Sequence, residues 1–206
     1  MMADNFISRG FLGKRRQPEQ AGRVPPGQYV TPDFPVLSAG PTPHIKLDQW
    51  AFSLEGFDRQ PVRWTWEEFL KLPAEKYTVD IHCVTKWTKL DTEWEGVSVD
   101  TLLTHFDLDP RANFATIFSY GDYTTNLPLS ALVRGQAFVG YIYGGQPLAA
   151  EHGGPARLVV PHLYFWKSAK WVHGIRFMEH DQAGFWESLG YHDRGDPWKE
   201  QRYQGD

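Results

Sequence analysis

Cys83 is the only cysteine in a chain of 206 residues, and it stands where two kinds of sequence meet. Tyr77, Val79, Ile81 and Cys83 alternate with Thr78, Asp80 and His82, which predicts a strand carrying the thiol on its apolar face. Directly after it, Val84-Thr85-Lys86-Trp87-Thr88-Lys89-Leu90 opens a polar, basic and aromatic loop. A thiolate is a nucleophile and a soft metal ligand, and nearby cations stabilise its charged form. Free cysteine is also among the most buried residue types and often only fills space, so Cys83 alone leaves both readings open. A single thiol excludes an intramolecular disulfide and a cysteine-rich zinc site. It is compatible with a reducing compartment.

A second group with chemical potential spans His152 to Met178. These 27 residues hold Arg157, Arg176, Lys167, Lys170 and three histidines, and no Asp or Glu. Gly153-Gly154-Pro155 precedes the strand-like run Arg157-Leu158-Val159-Val160 and can bring backbone close to a ligand. Cationic side chains with free backbone N–H groups make an anion site. A basic face open to water is the alternative for the same residues.

These residues need a frame. Trp50, Phe52 and Leu54 alternate with polar neighbours and predict a strand. Thr65-Trp66-Glu67-Glu68 has the form of a capping box opening a short helix that closes before Pro73. Ser98 or Asp100 caps a helix carrying Leu102, Leu103 and Phe106. Strands are expected near 114–119, 137–143, 157–161 and 171–178, with a short helix around 182–189. The stretch from Asp91 to Gly96 reads as an acidic, Trp-bearing turn. No repeat and no βαβ spacing occurs, so the expected fold class is α+β, mixed and mostly β. Residues 1–44 contain seven of the 15 prolines and read as an extended arm. The globular domain is expected over 45–206.

The net charge of −4 gives no reason to expect nucleic acid as a partner. No apolar run approaches the ~20 residues of a membrane span. Arg15-Arg16 is followed by Gln17-Pro18-Glu19-Gln20 rather than an apolar stretch, so the N-terminus does not read as an export signal. Nine Trp and nine Tyr point to aromatic packing, a stacking site for a flat ligand, or both.

Taken together, His82-Cys83-Val84-Thr85-Lys86-Trp87 with Trp94-Glu95-Gly96-Val97 resembles the cysteine-ligand loop of sulfite oxidase-type molybdenum enzymes. His152-Gly153-Gly154-Pro155-Ala156-Arg157 resembles their pterin-binding segment, and Trp166-Lys167-Ser168-Ala169-Lys170-Trp171 the phosphate-contacting stretch that follows. The likeness covers about residues 30–203 and is nearest the branch holding the bacterial protein-methionine-sulfoxide reductase catalytic subunit. It implies the mixed, mostly-β molybdopterin-binding fold and a molybdenum–molybdopterin cofactor. Cys83 would supply the metal's protein thiolate. Arg157 and Lys170 would bind the pterin or its phosphate beside Ser168 and Ala169. His152 and Ser119 match polar pterin contacts, and Phe34, Leu37 and Ser38 align loosely with contacts in the arm. His82, Lys86, Trp87 and Trp94 are candidates for the substrate mouth, with His82 and Lys86 joining Cys83 as catalytic residues.

The resemblance implies oxygen-atom transfer to or from a small S- or N-containing substrate, with electrons exchanged with a separate carrier protein or small redox mediator. Sulfite oxidases place an Arg four residues after the ligand cysteine; here Trp87 stands there, against sulfite as the substrate. The chain leaves no room for the dimerisation and haem domains of larger relatives, so a cytoplasmic monomer without stable membrane insertion is expected. Two alternatives belong to other classes: a non-enzymatic module that binds flat ligands on aromatic platforms, and a zinc hydrolase using the scattered histidines.

Overall fold

A computed structural model describes residues 22–206; the Arg15-Arg16 pair and the first half of the arm lie outside them. Eleven strands among the described residues form two sheets. The strands are β1 (Tyr29–Val30), β2 (Ala51–Glu55), β3 (Val62–Thr65), β4 (Glu75–His82) and β5 (Trp87–Ser98), then β6 (Phe114–Ser119), β7 (Thr124–Pro128), β8 (Phe138–Tyr143), β9 (Gln146–Pro147), β10 (Arg157–Val159) and β11 (Val172–Met178). The six-stranded sheet runs β1-β5-β8-β10, with β4 also on β5 and β9 on β8; the five-stranded sheet runs β3-β2-β11-β6-β7. Among the described strands, β1–β5 and β2–β11 are the pairs that run parallel. Three short helices, α1 (Trp66–Phe69), α2 (Val99–Leu103) and α3 (Phe185–Ser188), complete a mixed, mostly-β fold.

The six-stranded sheet is buried on both faces, and its period-two alternation shows why. Val139 and Leu158 enter the main core with Phe52, Ile117 and Ile175. Their neighbours Phe138 and Val159 enter a second, aromatic cluster with Ile81, Cys83, Trp87, Trp94 and Phe165. Adjacent strand residues point to opposite faces, so the sheet separates a general core from the apolar bed under the thiol.

The helix starts follow their sequence signals. Thr65 and Glu68 cap α1 reciprocally, with Glu68 N donating to Thr65 Oγ1 at 3.3 Å and Thr65 N to Glu68 Oε2 at 2.8 Å. Ser98, not Asp100, caps α2; Asp100 accepts instead from the backbone N–H groups of Arg134 and Gly135. Phe106 lies beyond α2 yet is still buried.

The expected turn at 91–96 is the interior of β5. Its acidic residues are the outward half of a strand: Thr92 and Trp94 are buried, while Asp91 and Glu93 are exposed. Gly96 keeps the strand in place, because a Cβ there would meet the Val139 carbonyl oxygen at 2.3 Å. Strands β3 and β7 also form where no strand was expected. Residues 22–43 lie along the body of the protein. β1 pairs with β5, and Arg23 bridges Asp80 and Asp91 at 2.6 and 2.5 Å.

Candidate active site

The thiol sits at the tip of a hairpin. Residues 83–86 join β4 to β5, with Lys86 N donating to the Cys83 carbonyl at 3.0 Å and Cys83 N to the Trp87 carbonyl at 2.8 Å. Lys86 takes a φ of 75°, a conformation uncommon for a residue with a Cβ. Cys83 Sγ lies 3.1 Å from Thr85 Oγ1. Burial pushes the thiol pKa up, while the Thr85 hydroxyl, backbone N–H groups and the Arg157 charge pull against it. A thiol that took up a metal would have to lose that proton on binding.

Cys83 opens onto a cavity of about 590 Å³, within the usual range for small-molecule sites. Arg157, Ser168, Ala169 and Lys170 form part of its wall; Phe34, Leu37 and Ser38 of the arm form another. The sequence-expected residues from three distant segments therefore meet around one space. Aromatic side chains supply much of the remaining wall, among them Trp87, Tyr123, Phe165, Trp166, Trp186 and Tyr191.

Arg157 is the unusual cation. It is 1% exposed and has no carboxylate partner among the described residues. Its Nη1 donates to the His152 carbonyl at 2.7 Å and its Nη2 to the Ser168 carbonyl at 2.6 Å. Nε is buried without a partner, and the guanidinium lies 4.0 Å over the Phe165 ring. Burial pushes its pKa down to about 9. Lys170 donates to the carbonyls of Leu37 and Glu151 at 2.7 and 2.6 Å; burial, then Arg157, pushes its pKa down to about 8.

The rest of the basic stretch has other duties. Lys167 is fully buried but paired with Glu187 at 2.6 Å, and it also donates to the carbonyl and side-chain oxygens of Asn126. Arg176 pairs with Glu55 on the surface. Arg157 and Lys170 are the stretch's two cations on the cavity wall, so the anion-site expectation narrows to them.

Five expected residues, His82, Lys86, Ser119, His152 and Trp94, do not line the cavity. His82 is buried, with Nδ1 3.0 Å from Thr88 Oγ1, and burial pushes its pKa down to about 4. Lys86 is exposed on the hairpin. Ser119 is buried, its Oγ unpartnered, at the start of a turn whose Tyr120–Tyr123 side does line the cavity. His152 stacks on Phe34 at 4.0 Å and has a buried, unpartnered Nδ1. Trp94 belongs to the aromatic bed and does not reach the cavity, whereas Trp87 does. Phe165, Trp186 and Tyr191 were missed as wall residues; the density of aromatics at 164–166 and 185–191 was their only signal.

These features fit a flat anionic cofactor with a soft metal: a thiol, two cations without carboxylates, backbone near Gly153 and aromatic walls. A Cβ at Gly153 would meet Lys170 Cα and Arg157 Cβ at 3.0 and 3.1 Å, so glycine allows that backbone to pack against both cations. No group of three His, Cys, Asp or Glu suited to a metal occurs among the described residues, which leaves the zinc alternative without a ligand set.

Comparison with known proteins agrees. Residues 39–186 match the oxidoreductase molybdopterin binding domain. The uncharacterized oxidoreductase YuiH of Bacillus subtilis (strain 168) is 42% identical over 197 residues, 95% of this chain and 100% of the relative. The protein-methionine-sulfoxide reductase catalytic subunit MsrP of Gluconobacter oxydans (strain 621H) is 28% identical over 158 residues. That match covers 68% of this chain and 50% of the relative, so the chain spans about half of MsrP. In fold, the sulfane dehydrogenase SoxCD from Paracoccus pantotrophus superposes with a TM-score of 0.62 at 19% identity, over 68% of this chain and 41% of that one. A domain match across most of the chain, on a cavity of the matching chemistry, places this protein in the molybdopterin-binding oxidoreductase family, as an enzyme whose cofactor is molybdenum held by molybdopterin.

Proposed function

We propose that this enzyme moves an oxygen atom to or from a small sulfur- or nitrogen-centred substrate and exchanges electrons with a separate carrier protein or small redox mediator. The observation that carries the reading is the sharing of one largely apolar cavity by the Cys83 thiol and a buried guanidinium that has no carboxylate. When bound, the molybdenum centre supplies two-electron redox chemistry coupled to oxygen-atom transfer, and the protein supplies orientation, charge and exclusion of side reactions.

In this reading Cys83 is the metal's thiolate ligand. Arg157 and Lys170 hold the anionic part of the cofactor, with Ser168 and Ala169 beside them. Phe34, Leu37 and Ser38 close the cavity from the arm. Ser119 and His152 support the site through the 119–123 turn and the Arg157 contact rather than from the cavity wall. His82 and Lys86 do not act on substrate directly: one is turned into the Thr88 contact and the other into solvent.

Substrate preference follows from the wall nearest the thiol. Trp87 is 3% exposed and packs against Phe34 and Phe165, and it brings no charge to attract an anion such as sulfite. A neutral S- or N-oxide suits such a wall, and relatives named protein-methionine-sulfoxide reductase support that choice. The single thiol suits a reducing compartment, and we place the enzyme in the cytoplasm as a monomer.

The test uses protein from a host able to make the cofactor. Near-stoichiometric molybdenum and a fluorescent pterin released on denaturation are expected. With an artificial electron donor, reduction of a neutral oxide should exceed sulfite oxidation in kcat/KM. A sulfite value well above that for every oxide tested would reverse the substrate assignment.

A further inference from the structure

Gln28 lies outside residues 39–186 that match the family domain, yet it is only 7% exposed. Its Nε2 donates to the Cys83 carbonyl at 3.1 Å, and its Oε1 accepts from Thr88 Oγ1 at 2.7 Å. Because the Thr88 hydroxyl proton is committed to Gln28, the same oxygen accepts from His82 Nδ1. One carboxamide thus ties together both ends of the turn that carries the thiol. The backbone of β1 and of the residue after it reinforces this tie: Tyr29 N donates to the Lys86 carbonyl and Thr31 N to the Thr88 carbonyl, both at 2.9 Å. The turn needs such support, since Lys86 is held at positive φ. An apolar side chain would fill the same space without the cost of desolvating an amide. Both bonds of this amide end on the thiol's turn instead.

We propose that Gln28 is a positioning residue for the cysteine ligand. It fixes the Cys83 peptide plane and, through it, the direction in which the sulfur meets the metal. The proposal rests on Cys83 being the molybdenum ligand. Groups that hydrogen-bond behind a ligand commonly set its orientation, and losing one typically lowers metal affinity or activity about 10–100-fold.

Two readouts test it: the rate at which iodoacetamide alkylates Cys83 in the cofactor-free protein, and the sulfur–molybdenum signal of the holoenzyme in X-ray absorption. Gln28→Leu should speed alkylation about tenfold, the loosening expected from one buried hydrogen bond, and should lengthen or broaden the sulfur–molybdenum shell. Gln28→Glu keeps an acceptor for Thr88 but loses the N–H donor to Cys83, so it should shift both readouts the same way; it carries the comparison should Gln28→Leu fail to fold. Val24→Ala is the control: Val24 is 3% exposed in the same segment, and its truncation should lower stability while leaving both readouts at wild-type values. Wild-type alkylation and an unchanged sulfur shell in the Gln28 variants would overturn the proposal, as would equal changes in Val24→Ala. A wild-type holoenzyme lacking any sulfur signal that depends on Cys83 would instead overturn the ligand assignment, a failure the alkylation comparison does not share.

Discussion

Arg157 and Lys167 are two buried cations ten positions apart, and replacing each with methionine should give opposite phenotypes. Lys167 and Glu187 are both 0% exposed and 2.6 Å apart. Glu187 Oε1 also accepts from Thr125 Oγ1 and Trp166 Nε1, both at 2.9 Å. Lys167→Met leaves that carboxylate buried and uncompensated, which costs about 3–5 kcal/mol. At about 2–4 °C per kcal/mol for a domain of this size, Tm should fall by about 6–20 °C. Adding Glu187→Gln removes the stranded charge while keeping an acceptor for Thr125 and Trp166, and should recover most of the loss. Arg157→Met works differently. It strands the His152 and Ser168 carbonyls but also removes a buried charge that has no counterion, so these opposed effects leave the cofactor-free Tm less changed than in Lys167→Met. What it loses is a charge-assisted contact to the cofactor, about 1.5–3 kcal/mol, equivalent to about 10- to 150-fold weaker retention. Thermal melts of cofactor-free protein and molybdenum content after dilution measure the two effects. The reasoning fails if Lys167→Met sheds molybdenum from folded protein, or if Arg157→Met retains it as wild type does.

Cys83→Ser should yield a folded protein that still binds pterin through Arg157 and Lys170 but loses the Cys83 share of the sulfur–molybdenum signal and almost all turnover; substantial activity per bound molybdenum would remove Cys83 from the mechanism. Lys170 predicts a pH effect. Its pKa is pushed down to about 8 by burial and by Arg157, against about 10.4 in an unfolded chain, so between those values the unfolded state binds more protons and this group makes stability rise with pH. An anionic ligand favours the ammonium form, so binding above about pH 8 should take up a proton and weaken as pH rises. Lys170→Met should remove the part of both trends that sets in near pH 8, leaving in melts and in proton-uptake calorimetry only the part that Arg157, pushed down to about 9, adds at higher pH.

Much of the fold was legible where one signal dominated locally. The Thr65–Glu68 capping box and the strand at 114–119 form where their residues predict, because backbone and side-chain preferences agree there. Asp91–Gly96 was misread because charge outweighed period: Thr92 and Trp94 face inward while Asp91 and Glu93 face water, so an acidic run is also a half-buried strand. The site was legible in its motifs and less so in its directions. Sequence placed His82 and Lys86 beside Cys83, but strand alternation turns His82 away from the thiol and the hairpin turns Lys86 into solvent. Lys167 looked like another phosphate cation until Glu187, twenty residues on, claimed it. Gln28 carried no signal at all, since its role depends on a parallel pairing between β1 and β5 across 55 residues to Cys83.

The contrast between the two buried cations bears on why the cavity is built as it is. A carboxylate beside Arg157 would stabilise the cofactor-free fold, as Glu187 stabilises Lys167, but it would also compete with the anion for the same guanidinium. Leaving Arg157 with only carbonyls and the Phe165 face keeps the charge oriented and uncompensated. Lys170 has the same character, since its two acceptors are neutral carbonyls. One of those acceptors is Leu37, on the arm that forms the cavity's outer wall. The cation proposed to meet the anion therefore also bonds to that wall. An anion in the cavity would offset the repulsion between Arg157 and Lys170 and favour the charged, three-donor form of Lys170, the same ammonium group whose bond to the Leu37 carbonyl ties the arm to the wall.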